Sequence, residues 1–219
     1  MISVNHRVQD VKEWFQTLKE KSEFVIDKTG CKMLEIVGAT FLADEEAIFG
    51  TVNRDYVSRE IEWYKMMSRN VNDIPRGAPK AWLSSADQDG YVNSNYGWMI
   101  WSEENCRQYS NALRELQTNS ESRRGVMIYT RPSMWIEYNT NGMSDFVCTN
   151  VVQYFIREGK LIVDVSMRSN DVVFGYKNDK AWQDYVHGRL AADLKCEVGS
   201  MIWHVGSLHV YEQHFDLVH

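Results

Sequence analysis

Proline is nearly absent. The 219 residues hold three, Pro75, Pro79 and Pro132, and two of them fall in "VNDIPRGAPKAW", the stretch that reads as the longest loop. With no Pro-rich or low-complexity linker and no internal repeat, the sequence offers no place to divide the chain, so one domain spanning 1–219 is expected. Cysteine is also sparse. Cys31, Cys106, Cys148 and Cys196 form no CxxC pair and no zinc-ligand spacing, so no metal site is expected and the thiols are read as free in a reducing cytoplasm. No apolar run is long enough to cross a bilayer. The opening "MISVNHRVQDVKEWFQTLKE" reads as an amphipathic helix with Val11, Trp14, Phe15 and Leu18 on one stripe, not as a secretory leader. Positive charge is in deficit, 24 Lys and Arg against 30 Asp and Glu for a net charge of −6. That argues against direct nucleic-acid binding, though a local Arg cluster can still hold a small anion.

What remains is rich in core material. Hydrophobic residues make up 44% and aromatics 12%, with eight Trp, enough for a sizeable core and a pocket for a flat ligand. A turn around Lys28-Thr29-Gly30 follows the first helix, and "KMLEIVGATFLA" reads as a strand pair. Residues 53–69 read as a helix with Tyr56, Ile61, Tyr64 and Met66 or Met67 inward. A second helix is expected over 103–118, and "GVMIYT" reads as a buried strand. A strand over 146–156, a turn at Glu158-Gly159-Lys160 and a strand over 161–169 follow. In the latter Leu161, Val163, Val165 and Met167 share one face. A helix over 180–195, with Trp182, Tyr185, Val186, Leu190 and Leu194 on one side, and a last strand in "SMIWHVGSLHVYEQH" complete an α+β pattern.

Several residues can carry chemistry, and each has a plainer reading. Cys148 is by default a small buried hydrophobe. As a nucleophile it needs positive charge nearby, which Arg168 at the end of the next strand can supply. "SRR" at 122–124 and "RSND" at 168–171 combine guanidiniums and a hydroxyl suited to a dianion. Alone, each is a solvated loop end or surface Arg. Asp179 precedes the expected helix and reads as its N-cap. Glu60 sits mid-helix and reads as a solvent-facing partner for Lys or Arg. His209 and Tyr211 share one face of the last strand, where a core His and a half-buried Tyr are the ordinary reading.

Taken together, "VIDKTG", "EIEWYK", "NSNYGW", "SRRGVMIYTRPSM", "GMSDFVCTN", "MRSNDVVFG" and "VGSLHVY" occur in an order that resembles the thymidylate synthase superfamily over nearly the whole chain. Within it they resemble the deoxycytidylate (dCMP) hydroxymethylases of T-even bacteriophages. The resemblance implies a two-layer α+β fold with a mixed sheet and a homodimer built sheet against sheet. It implies that Arg123 and Arg124 grip the phosphate of the partner's nucleotide while Arg168 and Ser169 hold it from the same subunit. Lys28 stands where thymidylate synthases carry an Arg, keeping the charge and losing the fork. His209 and Tyr211 match ligands of the deoxyribose hydroxyl, Asp171 a pterin ligand, and Trp82 and Tyr96 line the space around the reacting ring and folate.

The same resemblance implies the chemistry. The Cys148 thiolate adds to C6 of the pyrimidine, and the enamine so formed attacks 5,10-methylenetetrahydrofolate, the co-substrate. Glu60 organises water, which quenches the exocyclic methylene as CH₂OH. Asp179 replaces the Asn of thymidylate synthases; its carboxyl accepts from cytosine's N4 and either, when protonated, donates to N3 or, when ionised, pairs with a protonated N3, where an amide suits uracil. Asn170 helps hold the base or its water. The expected partners are dCMP, folate, a second copy and other enzymes of deoxynucleotide synthesis, in the cytoplasm of an infected host if phage-encoded. The rival readings are a dCMP methylase that quenches with hydride, a dUMP-using enzyme, which Asp179 argues against, and a non-catalytic nucleotide sensor or subunit of a deoxynucleotide-synthesis complex.

Overall fold

The computed structural model describes residues 2–219. In chain order its elements are α1 (Val8–Glu20), β1 (Val25–Ile26), β2 (Lys32–Leu42), α2 (Arg54–Met66), α3 (Lys80–Ser85), α4 (Tyr96–Trp101), α5 (Gln108–Thr118), β3 (Val126–Ile128), α6 (Met134–Glu137), β4 (Thr149–Arg157), β5 (Lys160–Asp171), α7 (Gly175–Leu194) and β6 (Glu197–Tyr211). Short 3₁₀ turns lie at Val71–Asp73, Thr140–Gly142 and Glu212–Leu217. The chain forms two compact units. One joins Met1–Val52 to Arg157–His219, and the other is Asn53–Ile156.

The first unit is a mixed sheet with helices packed on it. β1 and β2 form an antiparallel hairpin, β2 runs antiparallel to β6, and β6 runs parallel to β5. The expected alternation on β5 is present: Leu161, Val163, Val165 and Met167 are buried. Their side chains join Phe41 of β2 and Trp203 of β6 in one core. α1 contributes Val8, Val11 and Phe15. α7 packs through Tyr176, whose ring lies 5.9 Å from Phe41 and 5.4 Å from Trp203. Burying one such aromatic is worth on the order of 4–6 kcal/mol before conformational entropy is subtracted. On the opposite sheet face a polar ladder crosses three strands. Thr40 Oγ1 lies 3.0 Å from His204 Nδ1, and His204 Nε2 lies 3.0 Å from Asp164 Oδ1. The Asp164 carboxylate holds the His204 pKa above its ordinary value.

Three expected elements change, two in this unit and one in the second. Residues 32–42 form a single strand, not a pair. Gly38 takes φ +75°, a conformation that suits Gly, and pairing with β6 keeps its register on either side at Val37↔Ser207 and Ala39↔Val205. α7 begins at Gly175 rather than at 180, so Asp179 lies inside the helix and is not its N-cap. The start is capped instead by Asp171, whose Oδ1 accepts the backbone N–H groups of Val173 at 3.0 Å, Phe174 at 2.5 Å and Gly175 at 3.4 Å. α5 begins at Gln108 rather than at 103, because Cys106 and Arg107 adopt left-handed backbone with φ of 61° and 46°.

In the second unit Asn53 caps α2, its Oδ1 accepting the Tyr56 N–H at 3.0 Å. The buried face of α2 carries Glu60, Trp63 and Tyr64, while Met66 and Met67, expected inward, are exposed. The aromatic pair turns the helix toward α4. Asn95 caps α4, its Oδ1 accepting the Trp98 N–H at 2.7 Å, and its amide donates to the carbonyls of Trp63 at 3.2 Å and Ser68 at 2.7 Å. One side chain therefore starts α4 and straps it to the end of α2. β3 pairs antiparallel with β4 through Met127↔Val152. It is half-buried rather than buried, since Ile128 faces outward. β4 starts at Thr149, so Cys148 occupies the bend before the strand and not the strand itself.

The closest backbone approach here is at Gly97 of α4, where an added Cβ would sit 1.8 Å from the Tyr64 carbonyl oxygen. Gly97→Ala is expected to cost roughly 3 kcal/mol or more by forcing α4 off α2. Urea unfolding of the variant, with the midpoint falling and the slope unchanged, checks this.

Candidate active site

Glu60 has the most unusual setting of the residues singled out above. It is 5% exposed, and among the described residues no Lys or Arg figures among the groups that shift its pKa. Tyr56, one turn earlier on α2, donates its hydroxyl to Glu60 Oε1. Trp82 of α3 donates its indole N–H to the same oxygen at 2.8 Å. The solvent-facing reading therefore fails: the charge is buried and met by neutral donors. Burial pushes the Glu60 pKa up, and the hydrogen bonds from Tyr56 and Trp82 pull it part of the way back.

An aromatic array runs on from this carboxyl. The Trp82 ring stands edge-on to Trp63 at 5.3 Å, and Trp63 meets Tyr64 at 5.2 Å. Tyr64 stacks on Tyr96 at 5.4 Å, and Tyr96 in turn meets Tyr129 edge-on at 5.2 Å. The Tyr96 hydroxyl is 3.0 Å from Thr149 Oγ1, the residue that follows Cys148. Packing of this kind fixes ring orientation as well as burying area.

Cys148 is half-buried, and its Sγ lies 3.9 Å from the Phe146 carbonyl. The loop that carries it is held by Asp145. One Asp145 oxygen accepts the backbone N–H groups of Asn93 and Ser94, each at 2.7 Å, and the other accepts the Ser94 hydroxyl at 2.7 Å. The Asn93 amide returns a bond to the Asp145 carbonyl at 3.1 Å. Such charge-assisted bonds in a buried position are strong. They pin the approach to the cysteine against the loop that leads into α4.

In the first unit a second constellation forms where β5 and β6 end side by side. The parallel register sets Ser169 beside Ser207, Asn170 beside Leu208 and Asp171 beside His209. Arg168 is exposed, Ser169 half-buried and Asn170 2% exposed. The ring of His209, itself buried, stands edge-on to Tyr211 at 5.1 Å. The Asn170 amide donates to Asp179 Oδ2 at 2.8 Å, and its carbonyl accepts the Trp203 indole N–H at 3.2 Å. An indole only donates, so it sets which way the Asn170 amide points.

The basic loops lie at the surface. Lys28 is exposed at the tip of the β1–β2 hairpin, whose turn is stiffened by Asp27. Its Oδ1 accepts from Thr29 N at 2.8 Å, Thr29 Oγ1 at 2.6 Å and Cys31 N at 2.9 Å. Arg123 and Arg124 line a recess of about 340 Å³ with Asn119, Glu121 and Ser122. Arg124 Nε also pairs with Glu115 at 3.0 Å. Among the described residues no group of three or more His, Cys, Asp or Glu is placed to hold a metal ion, and no helix is long and apolar enough to cross a membrane.

The sequence matches the family described as thymidylate synthase over residues 11–219. The chain belongs to the thymidylate synthase family. It is 53% identical to the deoxycytidylate 5-hydroxymethyltransferase of Enterobacteria phage T4, covering 100% of this chain and 92% of that protein. It is 28% identical to the thymidylate synthase of Corynebacterium aurimucosum over 88% of this chain and 74% of that one. The solved thermostable thymidylate synthase A from Bacillus subtilis has the same fold. Its TM-score is 0.72 at 20% identity, covering 94% of this chain and 82% of that one. The α+β, mixed-sheet fold expected from the motifs is thus the thymidylate synthase fold.

Within this family member, three residues that hold candidate residues in place, each within its own unit, were not legible as such. Tyr56 was read only as an inward residue, although its i,i+4 spacing to Glu60 was a usable signal. Asp145 and Trp203 gave no signal, since their partners lie 52 and 33 positions away. The buried carboxyl has a measurable signature. The folded-state pKa of Glu60 lies above its unfolded value, so the stability tied to it is whole below the ordinary Glu pKa and is lost as pH rises through the raised value. Glu60→Gln is therefore expected to gain thermal stability relative to the parent as pH climbs across that window. Paired melting curves from pH 4 upward check it.

Proposed function

We propose that the protein is a deoxycytidylate 5-hydroxymethyltransferase, converting dCMP, 5,10-methylenetetrahydrofolate and water to 5-hydroxymethyl-dCMP and tetrahydrofolate. The observation that carries this reading is the 53% identity to a protein of that name across the whole chain. The buried Glu60 carboxyl and the Asp179–Asn170 pair give it a physical basis. It fits the cytoplasm of an infected bacterial host, because the relatives of that name are phage proteins.

In this reading Cys148 adds as thiolate to C6 of cytosine and makes C5 nucleophilic, which an aromatic pyrimidine is not. Arg168 and Ser169 hold the phosphate, with Lys28 from the hairpin tip and Arg123 and Arg124 from a second subunit. His209 and Tyr211 hold the sugar, and Asp171, Trp82 and Tyr96 line the folate side. Asp179 selects the base. Its Oδ2 already accepts from Asn170, and a carboxyl so fixed pairs with the N3 and N4 of cytosine, where Asn would suit uracil. As negative charge develops on the ring, a proton held between the Asp179 carboxyl and N3, on either partner, stabilises it. After C5 has taken the one-carbon unit and tetrahydrofolate has left, Glu60 takes a proton from the water that adds to the exocyclic methylene. The half-exposed ladder of Thr40, His204 and Asp164 lies on the sheet face expected to meet the second subunit.

The test is product mass after incubation with methylenetetrahydrofolate and either dCMP or dUMP. The expected result is dCMP gaining one CH₂O unit, with no product from Cys148→Ser. A gain of one CH₂ unit with release of dihydrofolate would make the protein a methylase. Tight dCMP binding with no product would make it a sensor. Asp179→Asn is expected to lower kcat/KM for dCMP by on the order of 10²-fold or more and to narrow or reverse the preference over dUMP. Competition between the two nucleotides in one reaction measures that ratio directly.

A further inference from the structure

Beyond its hydrogen bond to Glu60, Tyr56 has no part in the reaction steps given above. Its hydroxyl meets Glu60 Oε1, the same oxygen that takes the Trp82 N–H. Trp82 Nε1 also lies 2.9 Å from the Tyr56 oxygen. Because an indole nitrogen only donates, the Tyr56 oxygen accepts there, and its own proton is directed to Glu60. The three side chains close a ring in which Oε1 receives two donors. A proton on Oε1 would point at one of them, so the exchangeable proton of this carboxyl belongs on Oε2, which takes no part in the ring.

We infer that Tyr56 is a positioning residue for the water-addition step: with Trp82 it holds Oε1 as an acceptor, so that Oε2 alone exchanges a proton with the attacking water. This rests on the reaction proposed above and assigns its proton to an atom. As the water oxygen bonds to the exocyclic methylene carbon, one water proton moves to Oε2. The electron pair of the exocyclic double bond shifts to form C5=C6, and the C6–S pair leaves with Cys148 as thiolate. The proton on Oε2 then returns to solvent.

Nearby charges do not substitute for this ring. The Arg59 guanidinium lies 5.4 Å from the Tyr56 ring, but it is engaged by Asp55 at 3.2 Å and by the carbonyls of Pro75 at 2.9 Å and Gly77 at 3.0 Å. Asp55 pairs with Arg76 as well. Glu62 and Lys65 of α2 and Lys80 of α3 are exposed. α4 packs against α2 through the neutral ring of Tyr96. What α3 brings to Glu60 is the neutral Trp82 indole.

Tyr56→Phe removes one donor to the ionised carboxyl at nearly constant volume. The acid limb of the kcat–pH profile is expected to move up by about one unit, with kcat at neutral pH about tenfold lower and KM for dCMP within about twofold. Replacing Tyr56 with 3,5-difluorotyrosine, a stronger donor of the same shape, is expected to move that limb down. Opposite displacements from two near-isosteric variants are not produced by loss of packing. The protonated Glu60 carbonyl stretch, assigned by its loss in Glu60→Gln, gives the same titration by infrared spectroscopy without turnover. A midpoint that stays fixed in both Tyr56 variants overturns the inference. Absence of the hydroxymethyl product with a shifted midpoint overturns only the reaction.

Discussion

A carboxyl group taken out of water and met only by neutral donors is the constraint around which the second unit is arranged. Leaving Glu60 without partners at 5% exposure would cost several kcal/mol, or the group would stay neutral. Tyr56 and Trp82 supply two hydrogen bonds to one oxygen, and that requires α2 and α3 to hold a fixed separation. The ring of Trp82 then leans on Trp63, and the sequence of aromatic contacts through Tyr64 carries the same alignment to Tyr96. A shift in α2 would therefore disturb the buried carboxyl and the residue beside the thiol together.

Anchoring by one oxygen recurs at the other carboxylates of the proposed site. Asp179 accepts from Asn170 through Oδ2, and Asn170 is oriented by an indole that can only donate. Asp171 spends Oδ1 on the first turn of α7. Asp145 differs: both its oxygens are committed to the loop at Asn93 and Ser94, which suits a residue that fixes backbone rather than one that works on a ligand. Chemistry at a carboxylate needs one oxygen in a known direction, and fixing its twin is the economical way to achieve that.

Much of this fold was legible because its signals are local. The period-2 burial of Leu161 to Met167 and the stripe of Val11 and Phe15 on α1 depend only on neighbours in sequence. The start of α7 was not legible, because the helix buries Tyr176, Lys177, Lys180, Trp182 and Gln183 around much of its circumference, which erases the one-sided pattern that marks a helix. The order of residue types around Cys148, Glu60, Asp179, the Arg123–Arg124 pair and Arg168 was enough to identify the family. It said nothing about how each group is held.

The sequence by itself determined the α+β class, the family and the candidate residues of the proposed reaction, since residue type and local spacing are properties of the chain. Only the tertiary structure decided that Glu60 is buried rather than solvated, that Asp179 leans on Asn170 instead of capping a helix, and that Asp145 clamps the cysteine loop. Each of those facts depends on a partner contributed by another element, as with the pairing of Asp145 to Asn93, 52 positions earlier. Hydrogen-bond partners and burial arise from chain folding, and no local pattern encodes them.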